Sequence, residues 1–187
     1  MLVASLHQGI AELMPARLEF YEGWLSPRGL RDGSIGVAPM TAVLSFLRLE
    51  GEPYRLVAGR AGEYAAEWSV AELSPLRRRL LTALPPAIRM RLVLSLARGI
   101  VRNTYRGSRV LVRWRNGRGA VDIRGSLFCD VRDPVEHPLC DFYAAIIRKL
   151  LALFELEGRV DTEGCRATGA PRCELSVRTN VADRAES

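Results

Sequence analysis

The sequence predicts an α+β fold: a helix-rich N-terminal half packed on an antiparallel sheet, which two C-terminal hairpins form with one long helix between them. Three observations lead there. Apolar residues recur at helical spacings up to about Tyr105, and after Gly107 the period changes to strict alternation. Helical spacing then returns from Leu139 to Leu156, and two short segments flanking a turn-rich stretch close the chain. At 187 residues the chain suits one domain, 1–187, with 180–187 expected to be a frayed polar tail.

Taken in order, Leu2 to Leu25 reads as a helical start interrupted at Pro15, with Leu13, Leu18, Phe20, Tyr21 and Trp24 as core candidates. Pro27, Gly29, Gly33 and Gly36 mark a loop. Ala38 to Leu49 is helical through Val43, Leu44, Phe46 and Leu47, and Gly51 with Pro53 closes it. A further helix runs from about Tyr54 to Leu73, where Gly59 and Gly62 permit close backbone packing. Ser74-Pro75 is a helix start, since serine can cap and proline suits the first turn. Pro85-Pro86 ends that short helix and begins the next.

In the alternating region Val110, Val112 and Trp114 face one way, and Leu111, Arg113 and Arg115 the other. Asn116-Gly117 is a hairpin signal, with Val121, Ile123, Leu127 and Cys129 on the return strand. Leu139, Phe142, Tyr143, Ile146, Leu150 and Phe154 give the late helix one apolar face, and Gly158 terminates it. Arg159 to Cys165 and Cys173 to Thr179 form the second antiparallel pair, around a turn containing Gly169 and Pro171.

Composition narrows the function classes. Apolar residues make up 48% and charged residues 26%, which separates the chain from disordered sequences. No basic residue precedes the first apolar stretch, and no run of about 18 residues is free of charge, so neither secretion nor a membrane span is expected. A cytoplasmic bacterial protein is the expectation; its 26 arginines against a single lysine, Lys149, suit a GC-rich genome. In that compartment the four cysteines read as thiols or metal ligands rather than disulfides.

Cys140 opens the late helix, while Cys165 and Cys173 lie at facing ends of the last two strands. If that hairpin packs against the helix start, three thiols converge, and a fourth ligand would complete a tetrahedral zinc site. The alternative is that these are simply buried free cysteines.

The stretch from Gly125 to Val177 resembles the 4-vinyl reductase domain family, in which a cysteine precedes a helix and a C-x-A-x-G-x-x-x-C hairpin follows. Here the match is Cys140-Asp141-Phe142, then Cys165-Arg166-Ala167-Thr168-Gly169-Ala170-Pro171-Arg172-Cys173. The resemblance implies a fold shared with TRAPP vesicle-tethering subunits, a homodimer, and a narrow hydrophobic pocket for a small hydrophobic or aromatic ligand. It also implies zinc on Cys140, Cys165 and Cys173, as in phenol-type sensors, with a carboxylate beside them. The family pattern puts that carboxylate where this chain has Thr162, so the next residue, Glu163, is the expected ligand, on the same strand face as Cys165. Cys129 and His137 are the substitutes. Related functions are a TRAPP-like adaptor and an accessory protein of tetrapyrrole (bacteriochlorophyll) metabolism.

Enzyme chemistry finds little purchase. The only histidines are His7 and His137, and neither a Gly-rich dinucleotide motif nor a G-x-S-x-G elbow occurs. No catalytic residue is assigned. Phe46, Tyr64, Trp68, Tyr105, Phe142 and Tyr143 are the candidate pocket residues, competing with an ordinary role in the core. From Leu73 to Val121 there are twelve arginines and no acidic residue. That stretch reads first as a solvated arginine face, and otherwise as a site for an acidic protein partner or anionic ligand at least as much as for nucleic acid, since no aromatic platform is interleaved with it.

Overall fold

The computed structural model describes residues 1–25, 29, 35–104, 107–115 and 118–179. Pro27, Gly33, Tyr105, Arg106, the Asn116-Gly117 turn and the 180–187 tail lie outside the described residues.

Seven α-helices and four strands follow one another in the described residues. They are α1 Leu2–Leu13, α2 Leu18–Glu22, α3 Val37–Leu49, α4 Glu52–Ala71, α5 Pro75–Ala83 and α6 Pro86–Thr104, then β1 Arg109–Arg115 and β2 Arg118–Arg124, then α7 Asp141–Leu153, and finally β3 Gly158–Gly164 and β4 Cys173–Thr179. The sheet order is β1-β2-β4-β3 and every pairing is antiparallel, so the two C-terminal hairpins join along β2 and β4. The fold class read from the period changes is the one observed.

Local chemistry explains the boundaries. Pro15 starts a single 3-10 turn, Pro15–Arg17, between α1 and α2. At α5 the Ser74 hydroxyl accepts the backbone N–H of Arg77 at 3.3 Å, with Pro75 in the first turn. Pro86 begins α6 in the same manner. Gly51, at φ 74°, makes the sharp turn between α3 and α4 that a residue with a side chain would resist.

Helix α7 is the centre of the molecule. Phe142, Tyr143, Ile146, Ile147 and Leu150 on it are fully buried, each large apolar side chain contributing about 1.5–3 kcal/mol. It packs on α4 at Gly62, where a Cβ would stand 2.2 Å from the carbonyl oxygen of Phe142 and 3.0 Å from Cβ of Ala145. Only glycine permits that approach.

One sequence expectation is corrected. β2 ends at Arg124, so Leu127 and Cys129 lie beyond the ladder rather than on the return strand. Gly125 turns the chain at φ 68° and packs against the backbone of Gly107, which peels the segment away from β1.

Candidate metal centre and clefts

Four elements each deliver one sulfur to a common point. Cys129 stands in the loop after β2, Cys140 caps the N-terminus of α7, Cys165 follows β3, and Cys173 opens β4. The four Sγ atoms all lie within 4.8 Å of one another. Cys129 to Cys140 is 3.5 Å, Cys140 to Cys165 3.3 Å, and Cys165 to Cys129 3.6 Å. No pair is disulfide-bonded, and none of the four residues is more than 1% exposed.

The surrounding backbone fixes these positions. Arg48 Nη2 on α3 donates to the carbonyls of Leu127 and Phe128 at 3.0 and 3.1 Å, and Tyr54 on α4 donates to the latter at 3.4 Å, so two helices hold the loop of Cys129. The Ser126 hydroxyl accepts the Cys129 amide. Val135 N donates to the Ala167 carbonyl at 2.8 Å, tying the segment before Cys140 to the turn between Cys165 and Cys173. Backbone N–H groups also reach the sulfurs: Leu139 donates to Cys165 and Arg166 to Cys173, both at 3.4 Å. Such donors stabilise negative charge on thiolates.

The donor set fits a single tetrahedral ion. Zinc–sulfur bonds of about 2.3 Å imply sulfur–sulfur edges of roughly 3.8 Å, close to the observed spacing. An all-sulfur tetrahedron selects zinc or iron over harder ions. Proton sharing is already uneven: hydrogen bonds from Cys129, then Cys140 and Cys173, push the Cys165 thiol down, whereas those with Cys129, Cys165 and Cys173, together with burial, push Cys140 up. Four mutually close thiols cannot all ionise without a cation between them.

Of the residues singled out from sequence, Cys140, Cys165 and Cys173 come together, and Cys129, held there as a substitute, joins them. Glu163 does not. Its carboxylate is exposed, accepting from the Ser176 hydroxyl and, at 3.4 Å, from Arg178. The cause is a β-bulge: Thr162 pairs with Leu175 and Gly164 with Glu174, leaving Glu163 as the extra residue and cancelling its same-face relation to Cys165. His137 is exposed and stands outside the sulfur group.

The candidate pocket residues are dispersed. Phe142 and Tyr143 are core, with Phe128 stacked on Phe142 at 4.5 Å between centroids and Tyr143 edge-on to both. Phe46 packs with Phe20 and Trp24 at the surface. Tyr64 and Trp68 contact each other on a half-buried face of α4, where Tyr64 donates to Glu12. Two clefts are instead lined by other residues. An apolar one of about 290 Å³ lies between α5, α6 and the end of α7, walled by Leu73, Leu81, Leu92, Val93, Leu96 and Phe154. A larger, mixed one of about 550 Å³ lies beside the segment that leads into Cys140, with Arg48, Tyr54, Arg55, Val135, His137 and Leu139 on its walls. The leucines of the first cleft were visible in the sequence as ordinary helix residues, and nothing distinguished them as lining.

No family model matches this chain, and no curated protein does. Solved structures do resemble it. The phenol-responsive sensory domain of the transcription activator PoxR, solved with phenol, superposes with a TM-score of 0.51 at 13% identity, covering 81% of this chain and 80% of that one. An H-NOX protein from S. oneidensis in the Fe(II)NO ligation state gives 0.55 at 12% identity, covering 95% and 98%. The SO2144 H-NOX domain from Shewanella oneidensis in the Fe(II)CO ligation state gives 0.55 at 13%, covering 94% and 97%. At such identities the likeness establishes a fold shared with ligand-sensing domains. Among the described residues no helix is long and apolar enough to cross a membrane.

Proposed function

We propose that this chain is a small-molecule-sensing or carrier domain of the 4-vinyl reductase type, with a structural zinc ion held by Cys129, Cys140, Cys165 and Cys173. The observation that carries the reading is the convergence of four buried sulfurs from four separate elements to within 4.8 Å. The fold shared with the phenol-responsive domain of PoxR supports it. When bound, zinc would supply cross-linking in place of a larger core, joining the β2 loop, the α7 N-terminus and the last hairpin.

The chain's own residues do the rest. Leu139 and Arg166 offer amides to the sulfurs, Arg48 and Tyr54 hold the Cys129 loop against α3 and α4, and the Phe128–Phe142 stack fills the space beside it. The ligand is a small hydrophobic or aromatic molecule. The cleft walled by Leu73, Leu81, Leu92 and Phe154 is its site on chemical grounds, being apolar and, at about 290 Å³, of a size for a single aromatic ring.

Native mass spectrometry with elemental analysis of the purified protein tests the reading. The expected result is one zinc per chain, and the same spectrum reads the dimer implied by the family resemblance. A chain that purifies metal-free with four titratable thiols defeats the zinc assignment. Calorimetric titration with phenol as the probe addresses the ligand: saturable heat that Leu92→Trp abolishes is expected, and heat unchanged by that variant places the ligand elsewhere.

A further inference from the structure

Helix α5 is anomalous in a compact protein because none of its nine residues is buried. Its sequence is nevertheless amphipathic. Leu76 and Leu80, one turn apart, form an apolar stripe 69% and 61% exposed, and Ile88 and Leu92 on the adjoining α6 are exposed as well. Arg77 and Arg79 fall on either flank of the stripe, and both are exposed. Leu81 is half-buried against the core, but Leu76 and Leu80 gain little stability from packing within this fold.

The arginines of α5 and α6 differ from those elsewhere. Arg55, Arg60, Arg166, Arg172 and Arg178 each pair with a carboxylate. Across α5 and α6, by contrast, Arg77, Arg79, Arg91, Arg98 and Arg102 are exposed and have no ion-pair partner among the described residues. The stretch from Leu73 to Val121, with twelve arginines and no acid, cannot supply one locally.

We propose that the α5–α6 hairpin docks the protein peripherally on an anionic lipid membrane, with Leu76 and Leu80 entering the headgroup region and the flanking arginines contacting lipid phosphates and carboxylates. Positive charge and projecting leucines on one short helix are the signature of an interfacial helix. Self-association through this face is disfavoured, because a two-fold contact would set unpaired arginines of two copies against each other. A protein partner would need a concavity matched to the projecting stripe, whereas a headgroup layer accepts side chains of any outline. The apolar cleft walled by Leu81 and Leu92 lies next to this surface.

The test is co-sedimentation of the full chain, metal included, with phosphatidylcholine vesicles prepared with and without phosphatidylserine. Binding is expected only with the anionic vesicles and should weaken as salt is raised. Arg77→Gln with Arg79→Gln should lower the partition coefficient about fivefold per arginine. Leu76→Ser with Leu80→Ser should lower it roughly tenfold or more. All four side chains are exposed, so unchanged melting curves will show that the variants remain folded. The proposal is overturned by absence of sedimentation, by equal binding to neutral vesicles, or by binding that these variants leave intact. It is equally overturned if the native mass of the wild type halves in the leucine variant, or if an acidic polyglutamate peptide binds this face while vesicles do not.

Discussion

Replacing Cys129 with alanine, alongside Glu163→Gln, separates the fourth sulfur that the structure brings to the cluster from the carboxylate ligand that strand alternation suggests. In small zinc domains the ion contributes about 10–16 kcal/mol of folding free energy. Shared among four sulfurs, one ligand is worth about 3 kcal/mol, roughly a hundredfold in metal affinity. For a domain of this length that corresponds to a fall in Tm of about 10 °C. Glu163→Gln removes the exposed charge that pairs with Arg178 but keeps an oxygen to accept from Ser176, and its cost should stay below about 1 kcal/mol. The assay is zinc release to a chromogenic chelator, followed by a thermal melt of each variant. Cys129→Ala should release zinc readily and melt low, while Glu163→Gln tracks the wild type. If instead Glu163→Gln loses the metal and Cys129→Ala keeps it, the four-sulfur geometry is wrong.

Two further outcomes are expected. Gly62→Ala would place a methyl group against the Phe142 carbonyl, forcing α4 and α7 apart at a cost of about 3 kcal/mol; a urea midpoint within error of wild type would contradict the packing. Hydrogen bonds from Tyr64 and Arg60 hold the Glu12 carboxyl below its ordinary value, so the stability it contributes is present above the unfolded-state pKa and lost as pH falls through the folded one. Glu12→Gln should therefore lower Tm slightly at neutral pH and converge on the wild type in acid, which flattens the acid limb of a plot of Tm against pH; an acid limb parallel to that of the wild type would refute the assignment.

Much of the architecture could be read from residue order because period and punctuation agree. Ser74-Pro75 caps the helix it was expected to start, and Val110, Val112 and Trp114 are half-buried while Leu111 and Arg113 are exposed. The convergence of Cys140, Cys165 and Cys173 followed from placing a helix start beside a hairpin. What escaped depended on irregular backbone. A single extra residue in β3 turned Glu163 outward, and the left-handed turn at Gly125 carried Cys129 off its strand and into the sulfur group. Neither a bulge nor a glycine turn announces itself in hydrophobic spacing. The pocket was less legible for a different reason: Phe142 and Leu92 have the same helical periodicity, and only packing decides that one closes the core while the other walls a cleft.

X-ray absorption at the metal edge of the purified protein tests the proposed ion among four sulfurs most directly. Zinc with a shell of four sulfur scatterers at about 2.3 Å is the predicted spectrum. A shell of three sulfurs with one oxygen or nitrogen, or protein that carries no metal at all, would contradict it.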